Sequence, residues 1–223
     1  CREKLEAIDN REEKLAELAD IERARKSELK VATAALSASR KKAAPKLQEA
    51  FLEHARQLGF RQSLFEVSLL KLEEPGPHGA EETDFLFGPN PGESVRPLAD
   101  IASSGEIARV MLAIKTVLSS RKGKAERASK TLVFDEIDAN IGGEIGRTVG
   151  EKLSRLARGR QIIAITHLPQ SAAYGESHFT VSKSVSDGRT RTEIKEVKGK
   201  ARVAELARMM GGEGPTDAVK RHA

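Results

Sequence analysis

Two stretches decide the fold of this chain: Thr131–Gly143, which reads TLVFDEIDANIGG, and Ile162–Leu168, which reads IIAITHL. Each opens with a short apolar run that predicts a buried strand. The first run ends in two adjacent carboxylates, Asp135 and Glu136, and the second is followed by a threonine and His167. Buried strands that carry acids and a histidine at their carboxyl ends are typical of a nucleotide site in an open α/β sheet.

The segment between the two strands supports this architecture. Gly146–Leu156 is predicted to be a helix between the strands Leu132–Phe134 and Ile162–Ile165. A parallel pair of strands requires a crossover of this kind. The sequence therefore predicts an α/β fold in which both polar strand ends lie at one edge of the sheet.

The acid pair suits a specific chemistry. Mg²⁺ prefers hard oxygen ligands and keeps several waters, so the single carboxylate of Asp135 is enough to hold it. Glu136 can polarise a water that attacks a γ-phosphate, and His167 could hydrogen-bond both the phosphate and that water. Each feature taken alone has a simpler explanation: the acids as two surface residues after a strand, and His167 as a histidine whose hydrogen bonds are satisfied at a strand end. The placement of both features at neighbouring strand ends favours the nucleotide site.

A third feature, Ser103–Glu106 with the sequence SSGE, precedes a predicted helix at Ala108–Leu118. Free backbone N–H groups at a helix start, with hydroxyls and a glycine, make an anion site. Ordinary capping of the helix by serine is the better explanation for this segment taken alone.

The chain lacks a phosphate-binding loop of the form G-x-x-x-x-G-K-[ST]. Its two Gly-Lys pairs, Gly123-Lys124 and Gly199-Lys200, are each followed by alanine, and neither has a glycine five residues before its own. This chain alone is therefore expected to bind ATP poorly.

The first 57 residues are rich in Glu, Lys, Arg, Ala and Leu and predict a helical arm. Its apolar residues follow a heptad row with one interruption at Glu22: Ile8, Leu15, Leu29 and Leu36, with Leu5 and Leu18 three positions from members of the row. This pattern favours one strand of a coiled coil whose partner strand is missing over a single charged helix packed on a domain. Pro45 predicts a kink or break where the arm joins the globular part.

Weaker local signals predict the remaining elements. They are a strand at Phe65–Leu69, a loop at Glu73–Ala80, a short strand at Phe85–Phe87, a turn at Gly88–Gly92, a basic linker at Arg121–Lys130, a hairpin of Phe179–Val185 and Thr190–Val197 around Asp187-Gly188, and a helix at Ala201–Met210.

Length, net charge and cysteine count further limit the classes of protein to which the chain can belong. The chain has 223 residues, a formal net charge of +5 and one cysteine, Cys1, so that neither a disulfide framework nor a thiolate metal site can form. No apolar stretch approaches the roughly 20 residues of a membrane span, and no signal peptide is visible. These features fit a reducing cytoplasm. Because the chain starts with Cys and stops without a cap, it is expected to be a fragment of a longer protein.

Together these residues resemble the C-terminal half of the head of a RecN-type DNA repair ATPase, a relative of the structural maintenance of chromosomes (SMC) proteins. The supporting stretches are FLFGPNPGE (Phe85–Glu93), RPLADIASSGEIARVMLAIK (Arg96–Lys115), TLVFDEIDANIGG, ITHLPQSAA (Ile165–Ala173) and ARVAELARMMGG (Ala201–Gly212). The resemblance implies the C-terminal half of an ABC/SMC-type P-loop NTPase head, of the α/β class. Residues 1–57 would be a coiled-coil arm and residues 58–223 the C-terminal lobe.

The resemblance also implies residue roles. Asp135 would be the Walker B ligand of Mg²⁺, Glu136 the catalytic base and His167 the switch histidine. Four residues, Ser103, Ser104, Gly105 and Glu106, would form the signature that acts in trans on ATP held by a second head. Ala139–Gly143, which includes Asn140 and Gly142, would form the D-loop across the dimer.

The implied partners are ATP with Mg²⁺, the N-terminal half of the same head carrying Walker A, a second copy joined through ATP-sandwiched heads, and DNA ends or single strands. The implied setting is double-strand-break repair at the bacterial nucleoid in the cytoplasm, without a membrane. Other possibilities are a non-catalytic DNA tether and, less well supported, a transporter nucleotide domain. A tether has no need for Glu136 or His167, and the missing DEP motif argues against a transporter.

Three positions depart from the family pattern. Ser104 replaces the first glycine of the usual SGGE signature, and its Cβ predicts weaker ATP-dependent engagement of the heads, through crowding or opposition to a positive φ. Asn140 stands where glycine is common, a mild change because asparagine tolerates left-handed backbone. Gly142 stands where many D-loops carry aspartate, which RecN-like chains tolerate.

Overall fold

The computed structural model describes residues 2–119, 131–186 and 189–211. Its elements, in chain order, are α1 (Arg2–Gln57), β1 (Leu64–Gly76), β2 (Gly79–Gly88), β3 (Arg96–Pro97), a single 3-10 turn (Leu98–Asp100), α2 (Ser104–Ser119), β4 (Leu132–Phe134), α3 (Gly143–Leu156), β5 (Ile162–Ala164), α4 (Pro169–Ala172), β6 (His178–Ser186), β7 (Arg189–Val197) and α5 (Gly199–Met209). Within these ranges no helix is both long and apolar enough to span a membrane.

The helix α1 is continuous, and Pro45 lies inside it. The helix therefore has no break at Pro45, and the predicted alternative of a kink stays a prediction. Proline removes one hydrogen bond and its ring crowds the carbonyl four residues before it, but the hydrogen-bond ladder can continue on both sides. Along the arm the heptad leucines face solvent: Leu15 is 57% exposed, Leu29 46% and Leu36 40%.

The chain divides into two compact units. The first comprises the chain up to Gln48 together with Val67–Phe85, and the second comprises Glu49–Glu66 together with the chain from Leu86 onward. The sequence-based division after residue 57 stays a prediction.

In the first unit, the tip of the β1–β2 hairpin lies against α1. Arg40 donates to the backbone carbonyl of His78 at 2.7 Å, and a Cβ on Gly79 would lie 2.9 Å from Leu36. The loop predicted at Glu73–Ala80 is wrong, because β1 continues to Gly76 and only a two-residue turn separates it from β2. Proline and glycine are compatible with β1 because it is the outer strand of the order β1-β2-β3.

In the second unit, an aromatic cluster supports the base of α1. Phe51 stacks on Phe65 with ring centroids 4.0 Å apart, and Phe87 meets Phe51 and Phe60 edge-on at 5.7 and 5.2 Å. All four rings are buried. Edge-on and offset pairs of this kind contribute beyond their buried area.

The predicted crossover is confirmed. Strands β4 and β5 are parallel, with Leu132 opposite Ile162 and Phe134 opposite Ala164, and α3 connects them. The chain therefore has an α/β fold. The predicted C-terminal hairpin is also confirmed, since β6 and β7 pair antiparallel from His178↔Val197 to Ser186↔Arg189. The predicted linker Arg121–Lys130 and turn Asp187-Gly188 lie outside the described residues.

Candidate functional site

The site lies at the carboxyl edge of β4 and β5. Because the strands are parallel and in register, both deliver polar side chains to the same edge. Asp135 and Glu136 follow β4 and are exposed. His167 follows β5 by three residues, and its side chain is 66% exposed. The structure therefore brings the three predicted strand-end residues to one edge.

Glu136 is held in an unusual position. Its φ is +50°, in the left-handed region that non-glycine residues rarely adopt. Its carboxylate accepts a hydrogen bond of 2.6 Å from the hydroxyl of Ser104, at the start of α2. The segment predicted to be the signature and the acid pair thus contact each other within one chain. Ser104 is not among the described residues with positive φ, so the serine at this position does not strain the backbone.

The start of α2 lies against the loop after β4. Gly105 is buried, and a Cβ there would lie 2.8 Å from the Cβ of Ala139 and 3.1 Å from the carbonyl oxygen of Glu136. Ser103 accepts a hydrogen bond of 3.4 Å from the backbone N–H of Glu106, as an N-cap does. Capping is therefore part of the explanation for this segment, and close packing explains its glycine.

A carboxylate outside the predicted site lies beneath it. Asp138 is fully buried. One of its oxygens, Oδ2, accepts hydrogen bonds from the Thr166 hydroxyl and, at 3.0 Å, from the backbone N–H of Leu168. The other oxygen, Oδ1, lies 3.1 Å from Nδ1 of His167. Asp138 therefore ties the loop after β4 to the segment after β5.

A buried arginine holds the same loop from the other side. Arg109 of α2 donates to the carbonyl oxygens of Ile137 at 3.4 Å and Ala139 at 3.0 Å. Its guanidinium also lies over the ring of Phe60, 5.3 Å from the centroid. Burial lowers the pKa of Arg109, while the carboxylates of Glu106 and Asp138 act in the opposite direction. The positive charge partly offsets the cost of burying Asp138.

The loop that leads into α3 carries the predicted D-loop residues. Asn140 has a φ of +59°, which confirms that this position needs a residue tolerant of left-handed backbone. Gly142 is the N-cap of α3 with a φ of −84°, and a Cβ there would meet nothing within 4 Å. Gly142 is therefore not required by backbone conformation or by local packing.

Sequence reasoning missed Asp138 and Arg109 as members of this site. Asp138 left a faint signal, because it is a third acid two residues after Glu136. Arg109 left none, because a charged residue among the apolar residues of a helix face does not fit the pattern of a buried face.

Asp135 offers a single exposed carboxylate at a strand end. That donor set suits Mg²⁺, which keeps its waters and takes one or two carboxylates together with substrate phosphates.

The chain is similar to proteins named DNA repair protein RecN. It is 40% identical over 205 residues to the protein from Deinococcus radiodurans, covering 92% of this chain and 35% of that protein. It is 35% identical over 225 residues to the protein from Halalkalibacterium halodurans, covering 99% of this chain and 39% of that protein. The chain thus spans well under half the length of these relatives.

A solved structure shares the fold. The crystal structure of the Smc head domain with a coiled coil and joint from Pyrococcus yayanosii matches with a TM-score of 0.50 and 21% identity, over 74% of this chain and 29% of that one. No family model matches the chain. From the extent and identity of the sequence matches, together with an SMC-head fold, the chain belongs to the RecN family.

Proposed function

We propose that this chain is the signature and Walker B portion of an SMC-like ATPase that acts in recombinational repair of DNA double-strand breaks. The observation that carries the proposal is the meeting of three features at one loop: the acid pair after β4, His167 after β5 and the start of α2. Sequence similarity to proteins named DNA repair protein RecN supports the biological context.

In this proposal each residue has a distinct task. Asp135 holds Mg²⁺, which when bound neutralises phosphate charge. Glu136 orients and polarises the attacking water, and His167 hydrogen-bonds the γ-phosphate. The signature, Ser103–Glu106, presents hydroxyls and helix N–H groups to ATP held by a second copy. Asn140 and Gly142 belong to the loop that crosses the dimer.

The exposed face of the parallel strands supports a missing lobe. Val133 is 62% exposed, Ile163 46% and Ile165 55%, although parallel strands are ordinarily covered on both faces. The chain also lacks a phosphate-binding loop. We propose that the N-terminal half of the same head, which carries Walker A, covers these strands. ATP then joins two such heads into a homodimer, and the isolated fragment is inactive.

The proposal also covers the role of α1, the substrate and the cellular location. Exposed heptad leucines on α1 support a returning coiled-coil strand at residues 1–57, attached to a lobe at residues 58–223. The proposed substrate is DNA, as ends or single strands, and the net charge of +5 permits such contact. The proposed location is the bacterial nucleoid, in the cytoplasm.

The test is steady-state ATP turnover by the whole protein, as wild type and as Glu136→Gln, with and without linear DNA. We expect turnover that rises with DNA ends and falls at least about 100-fold in the variant, the usual scale for losing a general base. Glu144→Gln, an exposed acid in the first turn of α3, is the matched control and should turn over ATP like wild type. DNA binding by the wild type without any turnover would favour the tether instead.

A further inference from the structure

We propose that Asp138 is a positioning residue that keeps a proton on Nδ1 of His167 and so fixes the ring for its contact with nucleotide. The inference rests on the proposed function, because it assigns Asp138 a task in the same reaction. It extends that function to a residue that touches neither phosphate nor metal in the proposed scheme.

The first support is burial. Asp138 has no exposed surface, and a carboxylate out of water is costly unless hydrogen bonds and charge compensate for it. Two donors satisfy Oδ2, namely the Thr166 hydroxyl and the Leu168 backbone N–H. Oδ1 accepts no hydrogen bond of good geometry from the described residues. That oxygen therefore needs a donor, and the His167 ring nitrogen lies 3.1 Å away.

The second support is the way the loop is fixed. Arg109 donates to the carbonyls of Ile137 and Ala139, the residues on either side of Asp138. Gly105 allows α2 to lie directly against Ala139. The carboxylate is thus held on a rigid backbone, whereas the His167 side chain is 66% exposed and has little packing of its own. An exposed imidazole needs such a partner to keep one orientation and one tautomer.

The hydrogen bonds of Asp138 predict how its replacement by asparagine changes the tautomer of His167. In Asp138→Asn the side-chain oxygen keeps both donors of Oδ2, the Thr166 hydroxyl and the Leu168 N–H, only when it takes the place of Oδ2, because an NH₂ group there would face the Leu168 N–H. The NH₂ group must then occupy the place of Oδ1, facing Nδ1 of His167. Two donors cannot share that contact, so Nδ1 must lose its proton and Nε2 must gain one. The variant therefore reverses the ring tautomer with little change in shape.

The direct readout is ¹⁵N solid-state NMR of the whole protein labelled only at histidine. Comparison with His167→Ala identifies the signals of His167 among the histidines. We expect a protonated Nδ1 in the wild type, an unprotonated Nδ1 in Asp138→Asn, and the wild-type pattern in Glu81→Gln. Glu81 is a matched control because it is another buried carboxylate, 3.7 Å from Arg40 in the first unit.

The kinetic readout separates positioning from folding. We expect Asp138→Asn to lower kcat for ATP at least about tenfold, the scale on which removing the hydrogen-bond partner of a metal-binding histidine lowers activity, with little change in KM. In a His167→Ala background the same substitution should cost nothing further, because the two residues act as one unit.

Each outcome decides a different claim. An unprotonated Nδ1 in the wild type, or no reversal in Asp138→Asn, overturns the inference. A reversal with unchanged kcat overturns the positioning role in a protein that does hydrolyse ATP. A reversal in Asp138→Asn, when the wild-type protein shows no ATP turnover, supports the Asp138–His167 contact and overturns the proposed ATPase function instead.

Discussion

At the scale of single residues, the loop after β4 is held by two side chains of α2: Ser104 donates to the carboxylate of Glu136, and Arg109 donates to the backbone on both sides of Asp138. Asp135, Glu136 and His167 were predictable because carboxyl ends of parallel strands meet at one edge of a sheet. Arg109 was not, because hydrophobic periodicity has no signal for a charge that is buried and compensated by specific partners, and Asp138 was marked only as a third acid shortly after the pair. Their roles are visible only once α2 and the loop after β4 are seen in contact.

Gly105 should tolerate no side chain. Its replacement by alanine places a Cβ 2.8 Å from the Cβ of Ala139 and 3.1 Å from the carbonyl oxygen of Glu136, so that α2 or the loop must move. We expect Gly105→Ala to lower the free energy of unfolding by about 1–3 kcal/mol, the usual cost of overpacking. Chemical denaturation measures it, with Gly142→Ala as the control that has open space. Equal stability of the two variants would contradict this packing.

Ser104 should restrain the proposed base. Its hydroxyl donates to Oε2 of Glu136 at 2.6 Å, so we expect this bond to hold the carboxylate against the start of α2 and to limit its movement toward a water. A hydrogen bond to a charged group contributes about 1.5–3 kcal/mol, so Ser104→Gly should raise kcat of the whole protein by at least about tenfold. Ser103→Ala, which removes the cap on Glu106 and leaves the Ser104–Glu136 bond intact, should give no such gain. A slower Ser104→Gly enzyme would show that the serine assists the reaction.

At the scale of elements, local sequence patterns predicted the strands correctly where the apolar residues of the pattern are the ones that pair in the sheet. The parallel β4–β5 pair and the β6–β7 hairpin follow their apolar patterns. The signals failed at Pro45 and at Glu73–Ala80, where proline and glycine indicate an interruption that the structure does not contain. A long helix can continue past one missing donor, and an edge strand needs few donors on its outer side.

Pro45 is expected to lower the stability of α1. Its replacement by alanine restores a backbone N–H in the interior of a 56-residue helix. Proline in a helix interior is up to about 3 kcal/mol less favourable than alanine, so Pro45→Ala should raise the free energy of unfolding and the helical circular dichroism signal. Lys42→Ala, an exposed neighbour, is the control for general surface effects. A loss of stability would indicate that the proline is needed for the local course of the helix.

At the scale of the whole molecule, the base of α1 is tied to α3 by a contact between two basic groups. The Lys152 amine, on a buried residue, donates to Nδ1 of His54 at 3.0 Å, which requires a neutral imidazole. Burial, followed by the charge of Lys152, lowers the pKa of His54 below 6.5. Burial, followed by the charge of Arg202, also lowers the pKa of His178. Protonation of either histidine is therefore less favourable in the folded state than in the unfolded state.

Stability should consequently fall in mild acid. A histidine whose pKa is lower in the folded state takes up its proton more readily when unfolded, so stability decreases as the pH drops below about 6.5. We expect the free energy of unfolding to be lower at pH 5.5 than at pH 7.5. His54→Gln, which keeps an acceptor for Lys152, should reduce that difference. Identical pH dependence in the variant would rule out this origin.

The central claim, that this chain supplies the water-activating carboxylate of an ATPase, is tested most directly by a single-turnover measurement. The whole protein, in excess over radiolabelled ATP, is mixed and quenched over time, and bound ATP and released phosphate are counted for wild type and Glu136→Gln. We predict equal ATP binding, with phosphate formed by the wild type and almost none by the variant. Phosphate formation at the same rate in both proteins would contradict the assignment of Glu136 and the account built on it.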